Sequence, residues 1–89
     1  MATMFIRHAV SDYAKWRKAY DGFAQMQKAN GVIAKAVYQS ADNPNEITVT
    51  HDFATVAAAQ AFSSNPDLRA AMQSSGVVGV PTVWFTNKV

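Results

Sequence analysis

Three stretches of this chain are apolar on consecutive residues: Met4-Phe5-Ile6, Val32-Ile33-Ala34 with Ala36-Val37-Tyr38, and Val83-Trp84-Phe85. Neighbouring side chains of a strand point to opposite faces, so such runs belong to strands covered on both sides. The helices of the same chain can cover one side only. The other side requires a partner, and a second copy of the chain would supply it. The pattern therefore speaks more clearly about architecture than about chemistry.

The chain has 89 residues, of which 49% are hydrophobic and 11% aromatic. That length makes one domain, residues 1–89, and the composition is globular. A domain this small buries only about 60–65% of its unfolded surface, so an added interface would relieve a marginal core. There are no cysteines, which excludes disulfides, thiolate metal sites and thiol catalysis. No apolar run approaches the ~18 residues of a membrane span. Met1 to Arg7 lead almost directly into a strand without a signal-peptide pattern, and a cytoplasmic protein is the expectation. Net charge is +2. Lys15, Arg17, Lys18 and Lys28 are mixed with Asp21 on the outer side of one helix, which reads as a solvated face and not as a nucleic-acid footprint.

Residues 4 to 10 read as the first strand. Ser11 or Asp12 then caps a helix running to about Asn30, with Gly31 just past its end. At 100° per residue, Tyr13, Trp16, Tyr20, Phe23 and Ala24 share one side of that helix. Residues 32 to 40 form a second strand, residues 41 to 45 a hairpin loop around Pro44, and residues 46 to 53 a third strand. The third strand carries Ile47, Val49, His51 and Phe53 on one face. A second helix extends from Ala54 to about Ser64. Asn65 caps a short helix with Pro66 at its first position. Val77 to Pro81 reads as a connector, and residues 82 to 87 as the last strand.

The expected fold is α+β: a ferredoxin-like βαββαβ unit with a four-stranded antiparallel sheet in the order 4-1-3-2. Right-handed crossovers put both helices on one face. The other face is bare yet partly apolar, which predicts a homodimer through the open sheet face, an α+β barrel.

His8 and His51 are the only histidines, and histidine suits proton transfer near neutral pH. Both should point toward the helices, at opposite ends of antiparallel neighbouring strands. The expected gap of about 10 Å is too wide for a shared metal ion. Tyr13, Trp16, Tyr20 and Phe23 form a stripe at helical spacing that is either core or a stacking wall for a flat ligand. Gln27 on the same face either adds a polar contact to that wall or emerges at the helix end. Met72 on the short helix faces the same space. Tyr38, Trp84 and Arg7 lie on the sheet near the expected dimer face. There is no glycine-rich phosphate loop, nucleophile elbow or helical zinc pair. The third strand, Glu46 to Phe53, lacks the basic-glycine-aromatic pattern of an RNA-binding domain.

Several segments resemble the dimeric α+β barrel superfamily, in its antibiotic biosynthesis monooxygenase-like branch. They are Val10 to Trp16, the hairpin Ser40 to Glu46, Ala61 to Leu68, and Met72 to Pro81. The resemblance covers nearly the whole chain but rests on packing and turn positions. It implies a homodimer with a pocket between sheet and helices of each protomer. It implies no single reaction, since members include cofactor-free oxygenases, haem degraders, isomerases and cyclases. Haem-degrading members use an Asn early in the first strand, a Trp, and a His on the second helix. Here the first strand offers Arg7 and His8, and the second helix has neither Trp nor His. Oxygenases that act on aromatics place Trp, Tyr and Arg around the pocket from a region that here, Phe53 to Ala61, holds mostly small residues.

The expectation is therefore a cofactor-free homodimer binding a small apolar or aromatic molecule, with Tyr13, Trp16, Tyr20, Phe23, Gln27 and Met72 lining the site. The alternative is a cofactor-independent monooxygenase, isomerase or cyclase acting on a small aromatic or polyketide-like substrate. His8 or His51 would then be its general base. No nucleic acid, membrane or metal partner is expected.

Overall fold

Strict alternation builds the central strands. Along β1 (Ala2–Val10), Ala2, Met4, Ile6, His8 and Val10 are buried while the residues between them are not. Along β3 (Glu46–Phe53), Ile47, Val49, His51 and Phe53 are buried in the same way. The computed structural model describes residues 1–89 and pairs these two strands antiparallel, Met4 opposite His51 and His8 opposite Ile47. β2 (Ala34–Gln39) flanks β3, and β4 (Val77–Asn87) flanks β1. The sheet order is β2-β3-β1-β4, as the sequence predicts.

The helices pack on the buried face. Asp12 caps α1 (Tyr13–Asp21) by accepting from the Lys15 amide. Thr55 caps α3 (Val56–Ser63), and Asn65, followed by Pro66, caps α4 (Pro66–Ser74). Each cap satisfies one first-turn amide that the helix itself leaves free. No helix is long and apolar enough to cross a membrane.

The expected single helix to Asn30 is in fact two. Gly22 and Phe23 interrupt it, and α2 covers Ala24–Ala29. The Gly22 amide bonds the Lys18 and Ala19 carbonyls, and the Phe23 amide reaches back only three residues, to Tyr20. The chain tightens there, at a glycine, which holds a helix less well than any residue but proline. Gly31 then takes φ 96°, the left-handed turn that closes α2.

Three strand starts also differ from expectation, the first being β1, which begins at Ala2 and not at residue 4. β2 begins at Ala34 and not at residue 32, because the Val32 amide is already committed to the Gln27 carbonyl at the end of α2. Val77 to Pro81 is not a connector but the first part of β4. Its pairing to β1 shifts register between Arg7, opposite Thr82, and Ala9, opposite Val78. Gly79, Val80 and Pro81 therefore bulge opposite the single residue His8. The bulge needs Gly79 at φ 76°, and Pro81 tolerates the lost ladder bond.

The core has two halves. Met4, Ile6, Phe53, Ala59, Phe62 and Leu68 pack under α3 and α4, and Val10, Trp16, Tyr20, Ile47 and Val49 pack under α1. The outer face of the sheet carries no helix. Phe5 stacks on Trp84 there at 5.2 Å between ring centroids. Two polar pairs link strands there: Thr3 Oγ1 donates to Asp52 at 2.6 Å, and Arg7 pairs with Glu46 at 3.0 Å. Tyr38 on this face remains 57% exposed.

Candidate functional site

The two core halves meet at a line of rings. Trp16 lies 4.8 Å from Tyr20, Tyr20 6.0 Å from His51, and His51 5.6 Å from Phe62, centroid to centroid. His8 abuts Trp16 edge-on at 5.5 Å. The spacing of α1 places Trp16 and Tyr20 one turn apart on its inner face. The alternation of β1 and β3 turns the two imidazoles toward them.

Tyr20 and His51 form the central polar contact, with the hydroxyl 2.8 Å from His51 Nε2. Burial pushes the Tyr20 phenol up to about 12, with Gln27 and the Arg17 charge acting the other way. Burial, reinforced by the Lys35 charge, holds His51 down at about 4. Both groups are thus neutral at pH 7. We assign the phenol as donor to Nε2, which puts the His51 ring hydrogen on Nδ1. Burial likewise lowers His8. The Nδ1 atoms of His8 and His51 are buried without a hydrogen-bond partner in the chain. Such orphaned groups cost about 1–3 kcal/mol each.

The polar rim of this cluster comes from β2 and α2. Lys35 Nζ donates to Gln27 Oε1 at 2.9 Å and lies 5.1 Å from the Tyr20 ring centroid. Gln27 is 3% exposed, so its side chain belongs to the wall and does not emerge at the helix end.

Seven of the eight residues proposed for the site from sequence surround one inner space: His8, Trp16, Tyr20, Phe23, Gln27, His51 and Met72. Tyr13 does not reach it. It tilts against Trp16 at 6.1 Å, and its amide is held by Asn45 Oδ1. The space measures about 40 Å³. That is room for water molecules, far below the ~300 Å³ of ordinary ligand pockets. The two histidines also stand farther apart than the sequence suggests. The strand register separates them by four residues, or about 13 Å at about 3.3 Å per residue. No group of three His, Asp or Glu side chains is placed to hold a metal ion.

A larger cleft, of about 390 Å³, opens beside α4 and β4. Met4, Ile6, Leu68 and Met72 form its buried side, the β4 bulge from Gly79 to Pro81 one wall, and Arg69 and Gln73 its exposed edge. Ile6, Leu68 and Met72 line both the cleft and the inner space. Sequence reasoning missed the cleft, because the bulge reads as a loop. It also missed Lys35, whose place under Tyr20 follows only from its pairing with His51.

A family model described as antibiotic biosynthesis monooxygenase matches residues 2–74. The chain belongs to that family. Solved structures agree on the fold. A Bordetella bronchiseptica protein, provisionally named an antibiotic biosynthesis monooxygenase, has TM-score 0.83 at 18% identity, over 99% of this chain and 96% of its own. A variant of SnoaB, a cofactor-independent oxygenase from Streptomyces nogalater, has TM-score 0.77 at 11% identity, over 98% of this chain and 91% of its own. Identities this low speak for the fold alone. No curated protein matches the chain.

Replacing Tyr20 with phenylalanine keeps the ring but removes the partner of His51 Nε2. The expected cost is about 1–3 kcal/mol of folding stability, read by urea denaturation. An unchanged unfolding midpoint would contradict the hydrogen bond.

Proposed function

We propose that this family member is a homodimeric binder of small apolar or aromatic molecules, with its ligand held between sheet and helices. The observation that carries this reading is the apolar cleft of about 390 Å³, which shares Ile6, Leu68 and Met72 with the ring-lined inner space. Met72 is the mobile wall in this reading. An unbranched thioether changes rotamer at low cost, and its movement would add the inner aromatic space to the cleft. Trp16, Tyr20 and Phe23 then stack on the ligand, and Gln27 offers it a polar contact. A second copy covers the outer face, where Phe5 and Trp84 offer apolar area and Thr3–Asp52 and Arg7–Glu46 are already paired. A cytoplasmic setting suits this reading, which relies on no disulfide.

The test is calorimetric titration with 2-naphthalenemethanol, a neutral bicyclic probe. About twelve heavy atoms at about 0.35 kcal/mol each give a Kd near 1 mM or below. Met72→Trp, which fills the cleft, should weaken binding about ten-fold. No heat at millimolar probe, or equal binding by the variant, contradicts the placement.

A second reading draws support from the likeness to SnoaB and from the neutral imidazoles: a cofactor-independent monooxygenase, isomerase or cyclase. His8 or His51, unprotonated at neutral pH, then serves as general base while the α1 rings hold the substrate. If turnover is found, His8→Ala or His51→Ala should lower the rate and abolish the acidic limb of its pH–rate profile, where protonation of the base switches wild-type activity off. Profiles unchanged in both variants would remove the histidines from the mechanism.

A further inference from the structure

We infer that the ligand of the α4–β4 cleft is an apolar monoanion, a carboxylate or similar acid on a hydrophobic body, whose charge is met by Arg69. The inference rests on the cleft being the binding site, as proposed above, and adds the chemical class of what it takes.

Arg69 is the only charged side chain lining the cleft. The chain's two ion pairs are Arg7–Glu46 and Arg17–Asp21, so no carboxylate engages Arg69. It makes no side-chain hydrogen bond either, unlike Arg7 and Arg17. The nearest acid in sequence, Asp67, does not line the cleft, as expected for residues two apart on a helix. A cationic ligand would therefore meet a like charge and no counter-charge. An anionic one would meet a planar, five-donor guanidinium suited to bidentate contact.

Position separates the two halves of such a ligand. Arg69 and Gln73 are four residues apart on α4, hence on one helix face, and both are exposed at the edge of the cleft. Met4, Ile6 and Leu68, all at most 9% exposed, form the deep side. A body seated on the deep side brings a terminal carboxylate to Arg69, with the Gln73 amide as a second donor. The volume suits a body of one or two rings or a short acyl chain, not a long lipid.

The experiment is a matched series of three probes on one naphthalene body: 2-naphthoate, 2-naphthalenemethanol and 2-naphthylmethylamine, titrated by calorimetry at low salt. The expected order is naphthoate tightest and amine weakest. Arg69→Gln should weaken naphthoate about ten-fold and leave the alcohol unchanged, and Arg69→Lys should recover part of the loss. Raising the salt should weaken naphthoate alone. If all three bind alike and Arg69→Gln alters none, the anion inference is overturned while the cleft remains a binding site. If the amine binds best, the inference is overturned as well. If none of the three binds, the cleft itself is overturned with it.

Discussion

Lowering the pH from 7 to 4 is expected to remove about 3 kcal/mol of folding stability through His51 alone. His51 is 2% exposed, its imidazole stacked on Tyr20 and set edge-to-face against Phe62, with Lys35 nearby. Its pKa falls from 6.5 to about 4 on folding. Between those values the unfolded chain carries a proton that the folded chain refuses, so acid favours unfolding. The contribution is complete above pH 6.5 and declines as the pH falls toward 4. About 2.5 units at about 1.4 kcal/mol per unit set the size. His8 is shifted in the same direction and adds to the fall. Urea denaturation at half-unit pH steps measures this, and His51→Phe should flatten the profile over that window. Tyr20 sets the opposite limit. With its phenol raised to about 12, its share of stability is complete below pH 10 and lost as the pH rises toward 12. A wild-type profile flat from pH 7 to pH 4 would mean that His51 is charged or solvated in the native state.

Thr50→Lys is expected to weaken the proposed dimer by at least a hundred-fold, or about 3 kcal/mol. Thr50 sits on the outer face of β3, opposite Phe5 on β1 and Ala36 on β2, near the centre of the sheet. In a two-fold dimer each substitution appears twice, and two desolvated like charges repel across the same interface. The fold should weaken with it, since an 89-residue chain has little stability to spare. Sedimentation equilibrium and thermal unfolding, read together, decide it. A variant that stays dimeric with an unchanged Tm would show that a different surface forms the dimer.

The legibility of this chain tracks the range of the forces involved. Alternation in Ile6, His8 and Val10 and in Ile47, Val49, His51 and Phe53 is a local pattern, and it placed both histidines on the helix side correctly. Asn65-Pro66 is likewise local, a cap and a first-turn proline that read directly as a helix start. The break at Gly22–Phe23 was hidden because the apolar stripe continues through it. The β4 bulge was hidden because Gly79 and Pro81 in sequence signal a loop, and only pairing against Ala9 and Arg7 keeps them in the sheet. The site is partly legible for the same reason. Helical spacing and strand alternation brought seven residues to one space. The volume of that space, by contrast, is set by how closely Trp16, Tyr20 and Met72 pack, and no one-dimensional pattern encodes it. Arg69 escaped notice because its place at the cleft edge, and its lack of an ion-pair partner, emerge only in three dimensions.

The most direct test of the central claim is native mass spectrometry of the protein with and without 2-naphthoate. The account predicts a dimer at twice the 9.7 kDa chain mass, taking up one ligand per subunit. A bare monomer that takes up no ligand would contradict both the covered outer face and the cleft.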